Sequence, residues 1–237
     1  MKLSAPVYRL KRNAKLLSRQ KNIPLHAALD SIAVQEGFKS WSALAASRPQ
    51  KSPIRDLFAW LRPGELLLLG ARPGQGKTLM SLELAIEATR SGVPSYFFTL
   101  EYNEEDVRSR LSALTADTPQ FTSLFHCDTS DDIDADYIKA RLTTAPRGTV
   151  AVIDYLQILD QNRAKPDLSA QVSALKSFAR DRGLIIIFSS QIDRSYDPTV
   201  KRVPDLEDVR LPNPLDLRLF NKACFLNDGE TEFRAVG

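Results

Sequence analysis

Residues 70–78 have the composition of a phosphate-binding loop. They follow an apolar run at 66–69, precede an apolar helical stretch at 79–88, and read Gly70-Ala71-Arg72-Pro73-Gly74-Gln75-Gly76-Lys77-Thr78. In a strand, loop and helix of this kind, backbone N–H groups turn inward and the positive end of the helix adds to their attraction for phosphate. Lys77 is expected to reach the β- and γ-phosphates, and the Thr78 hydroxyl to bind Mg²⁺. The loop therefore predicts binding of a nucleoside triphosphate.

One position of this loop departs from the usual G-x-x-x-x-G-K-[ST] pattern. Its first glycine is Ala71 here, and Gly70 lies one position earlier. An alanine is compatible with the loop if the backbone at this position avoids the conformations that only glycine readily adopts. We therefore predict that residues 71–78, from Ala71 to Thr78, bind the nucleotide.

Three further polar residues follow apolar runs that read as strands. Asp154 ends the run at 150–153, Glu101 follows the run at 93–100, and Gln191 follows the run at 184–188. Parallel strands end at one edge of a sheet, so these side chains are expected beside the loop. We expect Asp154 to bind Mg²⁺, Glu101 to orient or deprotonate the attacking water, and Gln191 to sense the γ-phosphate. This set favours hydrolysis over the alternative of a small-molecule kinase, which needs an acceptor pocket.

Residues 54–237 alternate between predicted strands and helices. Two additional strands are predicted at 223–226 and 231–236, joined by a turn at Asp228-Gly229. The polar, acidic stretch at 115–134 gives no firm prediction. This alternation predicts an α/β fold with a mainly parallel central sheet flanked by helices.

The sequence pattern of residues 1–48 predicts a separate basic module of three short helices. The helices are expected at 6–20, before Gly37 and after Ser40, and residues 49–53 read as a linker. Residues 1–51 hold ten Lys or Arg and two acidic residues, whereas the whole chain of 237 residues has a net charge of +3. Such a face, which includes Arg12 and Arg19, suggests a nucleic acid partner. A solvated helix face and a docking site for a protein partner remain open alternatives.

The remaining composition excludes several classes of protein. Two cysteines and two histidines lack metal-ligand spacing, so no zinc site is expected. No apolar run approaches the roughly 20 residues that a membrane helix needs. We therefore expect a cytoplasmic protein without a membrane partner.

Residues 62–227 resemble the RecA-like motor domain of the DnaB-type replicative helicases. The resemblance rests on residues 70–78 and on four further segments in family order, 98–101 (FTLE), 152–157 (VIDYLQ), 190–194 (SQIDR) and 204–210 (PDLEDVR). It implies a RecA-like P-loop ATPase that uses Mg²⁺ and ATP, forms a homo-oligomer such as a hexamer, and acts on single-stranded DNA. It also implies the phosphate, metal, catalytic and sensor roles given above for Lys77, Thr78, Asp154, Glu101 and Gln191.

Two segments depart from the family pattern. The loop that helps to bind DNA in the family reads LPNPLD at 211–216. The last hairpin of the family carries a Lys-x-Arg-x-Gly element that supplies a lysine and an arginine to the ATP of a neighbouring subunit. This chain lacks that element, and only Arg234 could serve in its place. Arg163 and Lys165, after the Asp154 strand, are further candidate DNA contacts. We expect an ATP hydrolase that acts on DNA as a helicase or translocase in replication or processing. The alternative is a non-motor, nucleotide-dependent switch or loader that binds a protein through residues 1–48.

Overall fold

The computed structural model describes residues 4, 7–46, 53–115, 121, 123–160, 165–211 and 213–236. The chain divides into two compact units, Met1–Lys51 and Ser52–Gly237. Each unit contains a hydrophobic core of its own. Within the described ranges, no helix combines the length and the apolarity needed to cross a bilayer.

The first unit contains the three predicted helices. They are α1 (Val7–Lys21), α2 (Leu25–Gln35) and α3 (Trp41–Ala46). Their apolar positions meet in a small core formed by Leu10, Ala14, Ala28, Ile32, Ala33 and Leu44. The Ser40 hydroxyl accepts a hydrogen bond of 3.2 Å from the Ala43 N–H and so caps α3, as its residue type predicts. The predicted linker residues 49–52 lie outside the described residues.

The second unit is built on a seven-stranded sheet. Its strands are β1 (Leu66–Ala71), β2 (Ser95–Thr99), β3 (Phe125–Asp128), β4 (Val150–Asp154), β5 (Ile185–Gln191), β6 (Lys222–Asn227) and β7 (Glu230–Ala235). They lie in the order β3-β2-β4-β5-β1-β6-β7, and all neighbours are parallel except β6 and β7. The predicted α/β class with a mainly parallel sheet is therefore confirmed.

Helices cover both faces of this sheet. They are α4 (Pro53–Trp60), α5 (Lys77–Arg90), α6 (Glu104–Leu114), α7 (Ala135–Arg141) and α8 (Leu168–Arg182). Because strand side chains alternate between faces, Leu66 and Leu68 join one core with α7 and α8, and Leu67 and Leu69 join the other with α4 to α6. Packed on both faces, the sheet holds the ends of its strands in fixed positions.

The structure differs from the sequence predictions at two places. Pro53, predicted in the linker, is the first residue of α4, a position at which proline is favoured because its missing N–H is not needed there. β3 lies inside the stretch 115–134 that gave no firm prediction, and it pairs with β2 at one edge of the sheet. The turn predicted at Asp228-Gly229 is present, with positive φ at both residues.

Gly70 is a point where the sheet permits no side chain. A Cβ at this position would lie 2.7 Å from two atoms of the Phe225 ring and 3.1 Å from the Ile192 Cδ1. We expect Gly70→Ala to destabilise the protein by about 1–3 kcal/mol through overpacking. Urea unfolding measures this change, and Gly92→Ala, whose Cβ meets no atom within 4 Å but whose φ is +76°, isolates the backbone strain from the clash. A Gly70→Ala variant as stable as the wild type would contradict this prediction.

Candidate functional site

The phosphate-binding loop joins the end of β1 directly to the start of α5. Ala71 is the last residue of β1 and is fully buried, and its φ is not positive, so alanine fits where the usual pattern has glycine. Gly74 and Gly76 have φ values of +76° and +90°, which L side chains rarely adopt. α5 begins at Lys77 immediately after Gly76. The free N–H groups of its first turn therefore point toward the loop.

A cavity of about 380 Å³ opens beside this loop. Lys77 and Thr78 line it together with Glu101 and Gln191, which come from the ends of β2 and β5. The Lys77 side chain is 8% exposed, and its Nζ lies 5.5 Å from the centroid of the Tyr155 ring. The sheet thus brings together Lys77 and Gln191, which are 114 positions apart in the sequence.

Asp154 ends β4 and is completely buried. The Ser189 hydroxyl donates a hydrogen bond to its Oδ1. Its Oδ2 has no partner among the residues that the structure describes. Buried carboxylate oxygens are normally satisfied, and oxygen ligands are what Mg²⁺ prefers. The charge of Asp154 acts on Glu101, and its unpaired carboxylate oxygen fits the binding of Mg²⁺.

Glu101 lies just beyond β2 and keeps part of its surface in solvent. Its N–H donates a 3.1 Å hydrogen bond to the Thr99 hydroxyl, which fixes the turn after the strand. Partial burial of the carboxylate raises its pKa above the ordinary value, Lys77 opposes this increase, and Asp154 adds to it. A carboxylate with a raised pKa is a better proton acceptor than an ordinary glutamate.

Gln191 is held by a chain of hydrogen bonds from two neighbouring segments. Its Oε1 accepts from the Arg210 Nη1 at 3.2 Å, and its carbonyl accepts from the Arg210 N–H at 2.8 Å. The Gln157 Nε2 donates in turn to the Arg210 carbonyl at 2.9 Å. Gln157 and Arg210, which the sequence marked only as motif residues, therefore orient the predicted γ-phosphate sensor.

Two other loop residues attach the loop to its surroundings. Arg72 donates a 3.1 Å hydrogen bond to the Arg194 carbonyl, and its guanidinium lies 5.8 Å from the centroid of the Tyr196 ring. The Gln75 Oε1 accepts a 2.8 Å hydrogen bond from the Asp228 N–H at the turn between β6 and β7. These contacts fix the loop to the segment after β5 and to the last hairpin.

Of the other predicted site residues, Arg234 and Lys165 are not among those that line the cavity. Arg234 is on β7, where its guanidinium pairs with Glu232 at 2.7 Å and with Asp205 at 3.6 Å. The Lys165 Nζ donates to the carbonyls of residues 132 and 133, at 3.0 and 3.3 Å. Arg163 lies outside the described residues. Arg12 and Arg19 are exposed on α1 of the first unit.

Sequence reasoning missed three residues that line the cavity, Leu79, Tyr102 and Arg110. Tyr102 directly follows Glu101, and Arg110 is on α6, where Val107 and Leu111 are the buried positions. At 100° per residue, Arg110 lies on one side of this buried stripe and Arg108 on the other. This helical position is the signal that could have singled out Arg110, although the pattern does not tell which side faces the cavity.

Comparison with known proteins identifies the family. A family model described as an AAA domain matches residues 34–192, about two-thirds of the chain. The replicative DNA helicase DnaB of Leifsonia xyli subsp. xyli is 25% identical over 188 residues, which cover 66% of this chain and 41% of that protein. The chain thus spans about two-fifths of the length of this curated relative.

Two solved structures share the fold. The structure of a DnaB-like replicative helicase, described with its interactions with primase, has a TM-score of 0.57 at 18% identity and covers 94% of this chain and 68% of that one. A KaiC-like protein from Pyrococcus horikoshii OT3 has a TM-score of 0.54 at 16% identity and covers 73% and 80%. Together with the family match and the loop geometry, they show that this chain belongs to the AAA domain family and carries a RecA-like P-loop ATPase domain of the DnaB type.

Proposed function

We propose that this protein hydrolyses ATP with Mg²⁺ and couples hydrolysis to action on DNA, as a helicase or translocase in replication or processing. The observation that carries this proposal is the cavity in which Lys77, Thr78, Glu101 and Gln191 converge. Each of these side chains comes from the phosphate-binding loop or from the C-terminal end of a different strand. Such a convergence of a phosphate site, a proton acceptor and a sensor suits the attack of water on a terminal phosphate.

Each residue of this site has a defined task in the proposed reaction. Lys77 and the N–H groups at the start of α5 bind the β- and γ-phosphates. Asp154 and Thr78 hold Mg²⁺, which when bound neutralises charge on the phosphates. Glu101 orients the attacking water and accepts its proton, and Gln191 donates a hydrogen bond to the γ-phosphate. Because Gln191 is hydrogen-bonded to Arg210, a change at the γ-phosphate can be transmitted to the segment that leads to residues 211–216.

DNA as the partner is supported by the similarity to replicative DNA helicases and by charge. α1 has basic residues in its last turn and no acidic residue along its length. Arg12 and Arg19 are its proposed phosphate contacts, with Arg163 and Lys165 in the second unit. Lys165 would have to exchange the carbonyls that it now contacts for a DNA phosphate. Assembly into a ring of identical subunits is proposed on the same family grounds.

Binding of a fluorescent oligo-dT strand at several salt concentrations tests the DNA contact. We expect Arg19→Glu to weaken binding and to reduce the slope of log K against log[salt] by about 1, because one phosphate contact is lost. Lys39→Glu, which makes the same charge change at another exposed position of the first unit, is the matched control and should have a much smaller effect. Equal losses for both variants would indicate net charge rather than a contact, and unchanged binding would exclude Arg19.

The alternative is a nucleotide-dependent switch that binds a protein partner through residues 1–48. Its specific support is Arg234, which is paired with Glu232 and Asp205 of its own chain. Arg234→Ala decides between the two functions. A motor whose neighbouring subunit uses Arg234 should lose ATP hydrolysis by about 10³-fold or more. A switch should hydrolyse ATP slowly, independently of Arg234 and of DNA, and should remain a monomer with ATP.

A further inference from the structure

Three cationic side chains line the phosphate cavity, and one of them neither has a task in the proposed reaction nor attaches the loop to its surroundings. Lys77 belongs to the phosphate-binding loop, and Arg72 is held by the Arg194 carbonyl and the Tyr196 ring. The third cation is Arg110, which comes from α6. It belongs neither to the loop nor to any of the strand ends that supply the other groups.

The guanidinium group of Arg110 has a single partner within the described residues. Its Cζ lies 4.3 Å from the centroid of the Tyr102 ring, and no hydrogen bond or ion pair engages it there. A cation over a half-buried aromatic ring, with the cation itself exposed to solvent, is held weakly. The five N–H donors of Arg110 therefore remain available, and the contact with Tyr102 is weak enough to be exchanged for a phosphate.

The position of Arg110 in the cavity indicates which phosphate group its side chain would contact. Tyr102 directly follows Glu101, the group proposed to face the attacking water, and both line the cavity with Arg110. The contact of Gln75 with Asp228 is made at the turn between β6 and β7, which lie on the other side of β1 from β2. Arg110 thus lies on the Glu101 side, where negative charge develops as the terminal phosphate is transferred.

We propose that Arg110 is a second cation for the terminal phosphate, supplied by the same chain, and that Tyr102 positions it at the cavity while no phosphate is bound. In this proposal, which rests on ATP hydrolysis at this site, the guanidinium leaves the Tyr102 ring and donates to γ-phosphate oxygens. The terminal phosphate then has a cationic partner from its own chain, so the site does not need a cation from a neighbouring subunit. Arg110 is a catalytic residue in this scheme, and Tyr102 is a positioning residue.

The test compares Arg110→Ala with Arg108→Ala in the full chain. Arg108 is also exposed on α6, but it lines a different cavity, between α6 and β3. We expect Arg110→Ala to lower kcat for ATP by about 10²-fold or more, the loss typical of one transition-state donor. Binding of ADP should change less than twofold, whereas binding of a non-hydrolysable ATP analogue should weaken at least tenfold. Arg108→Ala should match the wild type in all three measurements.

Further variants separate contact with phosphate from a role in folding. Guanidinium ion at millimolar concentration should restore part of the activity of Arg110→Ala, and Arg110→Lys should retain more activity than the alanine variant. Tyr102→Phe, which keeps an aromatic ring, should behave as the wild type, whereas Tyr102→Leu should lower kcat several-fold. Equal weakening of ADP and the ATP analogue without rescue by guanidinium would overturn the proposal.

The outcomes also distinguish this proposal from the proposed function. If the wild type hydrolyses ATP and Lys77→Ala does not, but Arg110→Ala retains full activity, the assignment of Arg110 is wrong and ATP hydrolysis stands. If the wild type binds ATP without hydrolysing it, equal binding of the ATP analogue by wild type and Arg110→Ala would still overturn the assignment. If the wild type binds no nucleotide, both proposals fail.

Discussion

Lys77→Ala is expected to abolish ATP hydrolysis, with a loss of at least about 10²-fold in kcat/KM. The Lys77 ammonium is nearly buried and lines the cavity at the start of α5, where the proposed site places the β- and γ-phosphates. No other lysine lines this cavity in the described part of the chain. Steady-state ATP hydrolysis at saturating Mg²⁺ measures this loss.

Thermal unfolding shows whether Lys77→Ala loses nucleotide binding or folding. At an ATP concentration of 100 times Kd, binding stabilises the folded state by about 2.7 kcal/mol. For a chain of this size we expect Tm to rise by about 5–10 °C in the wild type. The variant should keep the Tm of the nucleotide-free protein and lose this increase, and Lys176→Ala on α8 should keep both. A nucleotide-free Tm far below that of the wild type would assign Lys77 a structural role instead.

Glu101→Gln is expected to lower kcat by about 10²–10⁴-fold while ATP binding is retained. Glutamine preserves the size of the side chain but cannot accept the proton of the attacking water. Glu105→Gln, at an exposed position in the first turn of α6, is the matched control and should leave kcat unchanged. Retention of full activity by Glu101→Gln would remove Glu101 from the mechanism.

The raised pKa of Glu101 adds a pH dependence to this prediction. Because burial favours the protonated form, the acid limb of the wild-type kcat profile should lie above the ordinary glutamate pKa of 4.5. The same increase in pKa means that the folded state loses stability as pH rises from 4.5 through the pKa of the folded protein. Glu101→Gln should not show this loss, so its Tm at neutral pH should equal or exceed that of the wild type. An acid limb at or below pH 4.5 would contradict the assignment.

The strand ends and the loop were predictable because their signals are local. An apolar run, a glycine-containing loop ending in Gly-Lys-Thr and an apolar helix form one continuous segment, and β1, the loop and α5 occupy it. Asp154, Glu101 and Gln191 could be placed near this loop because parallel strands end at a common edge. The order of the strands was not predictable, since it depends on which helices pack on each face.

The contacts between distant segments could not be read from the sequence. β3 is a four-residue edge strand in a polar stretch, so it shows no run of apolar residues. Arg110 lies on the cavity side of α6 only because Val107 and Leu111 pack into the core. The partners of Arg234 and Lys165 likewise depend on loops that the fold brings close. Local patterns thus predicted the candidate site residues, whereas packing determined which cations line the cavity.

Hydrogen bonds connect Gln191, the proposed γ-phosphate sensor, to two other segments. Arg210 connects Gln191 to residues 211–216, which depart from the family's DNA-binding loop, and Asn213 in that segment donates to both carboxylate oxygens of Asp160 at 2.7 Å. Asp160 ends the short 3₁₀ helix that follows β4 and Asp154. A change at Gln191 can therefore be transmitted to residues 211–216 and to Asp160 through direct contacts.

The most direct test of ATP hydrolysis coupled to DNA is the hydrolysis rate with and without single-stranded DNA. We expect the hydrolysis rate to rise strongly when oligo-dT is added at low salt, and to fall again as higher salt displaces the DNA. Lys77→Ala should show no hydrolysis under either condition. A slow rate that requires Lys77 but ignores DNA at every salt concentration would contradict coupling and would favour the nucleotide-dependent switch.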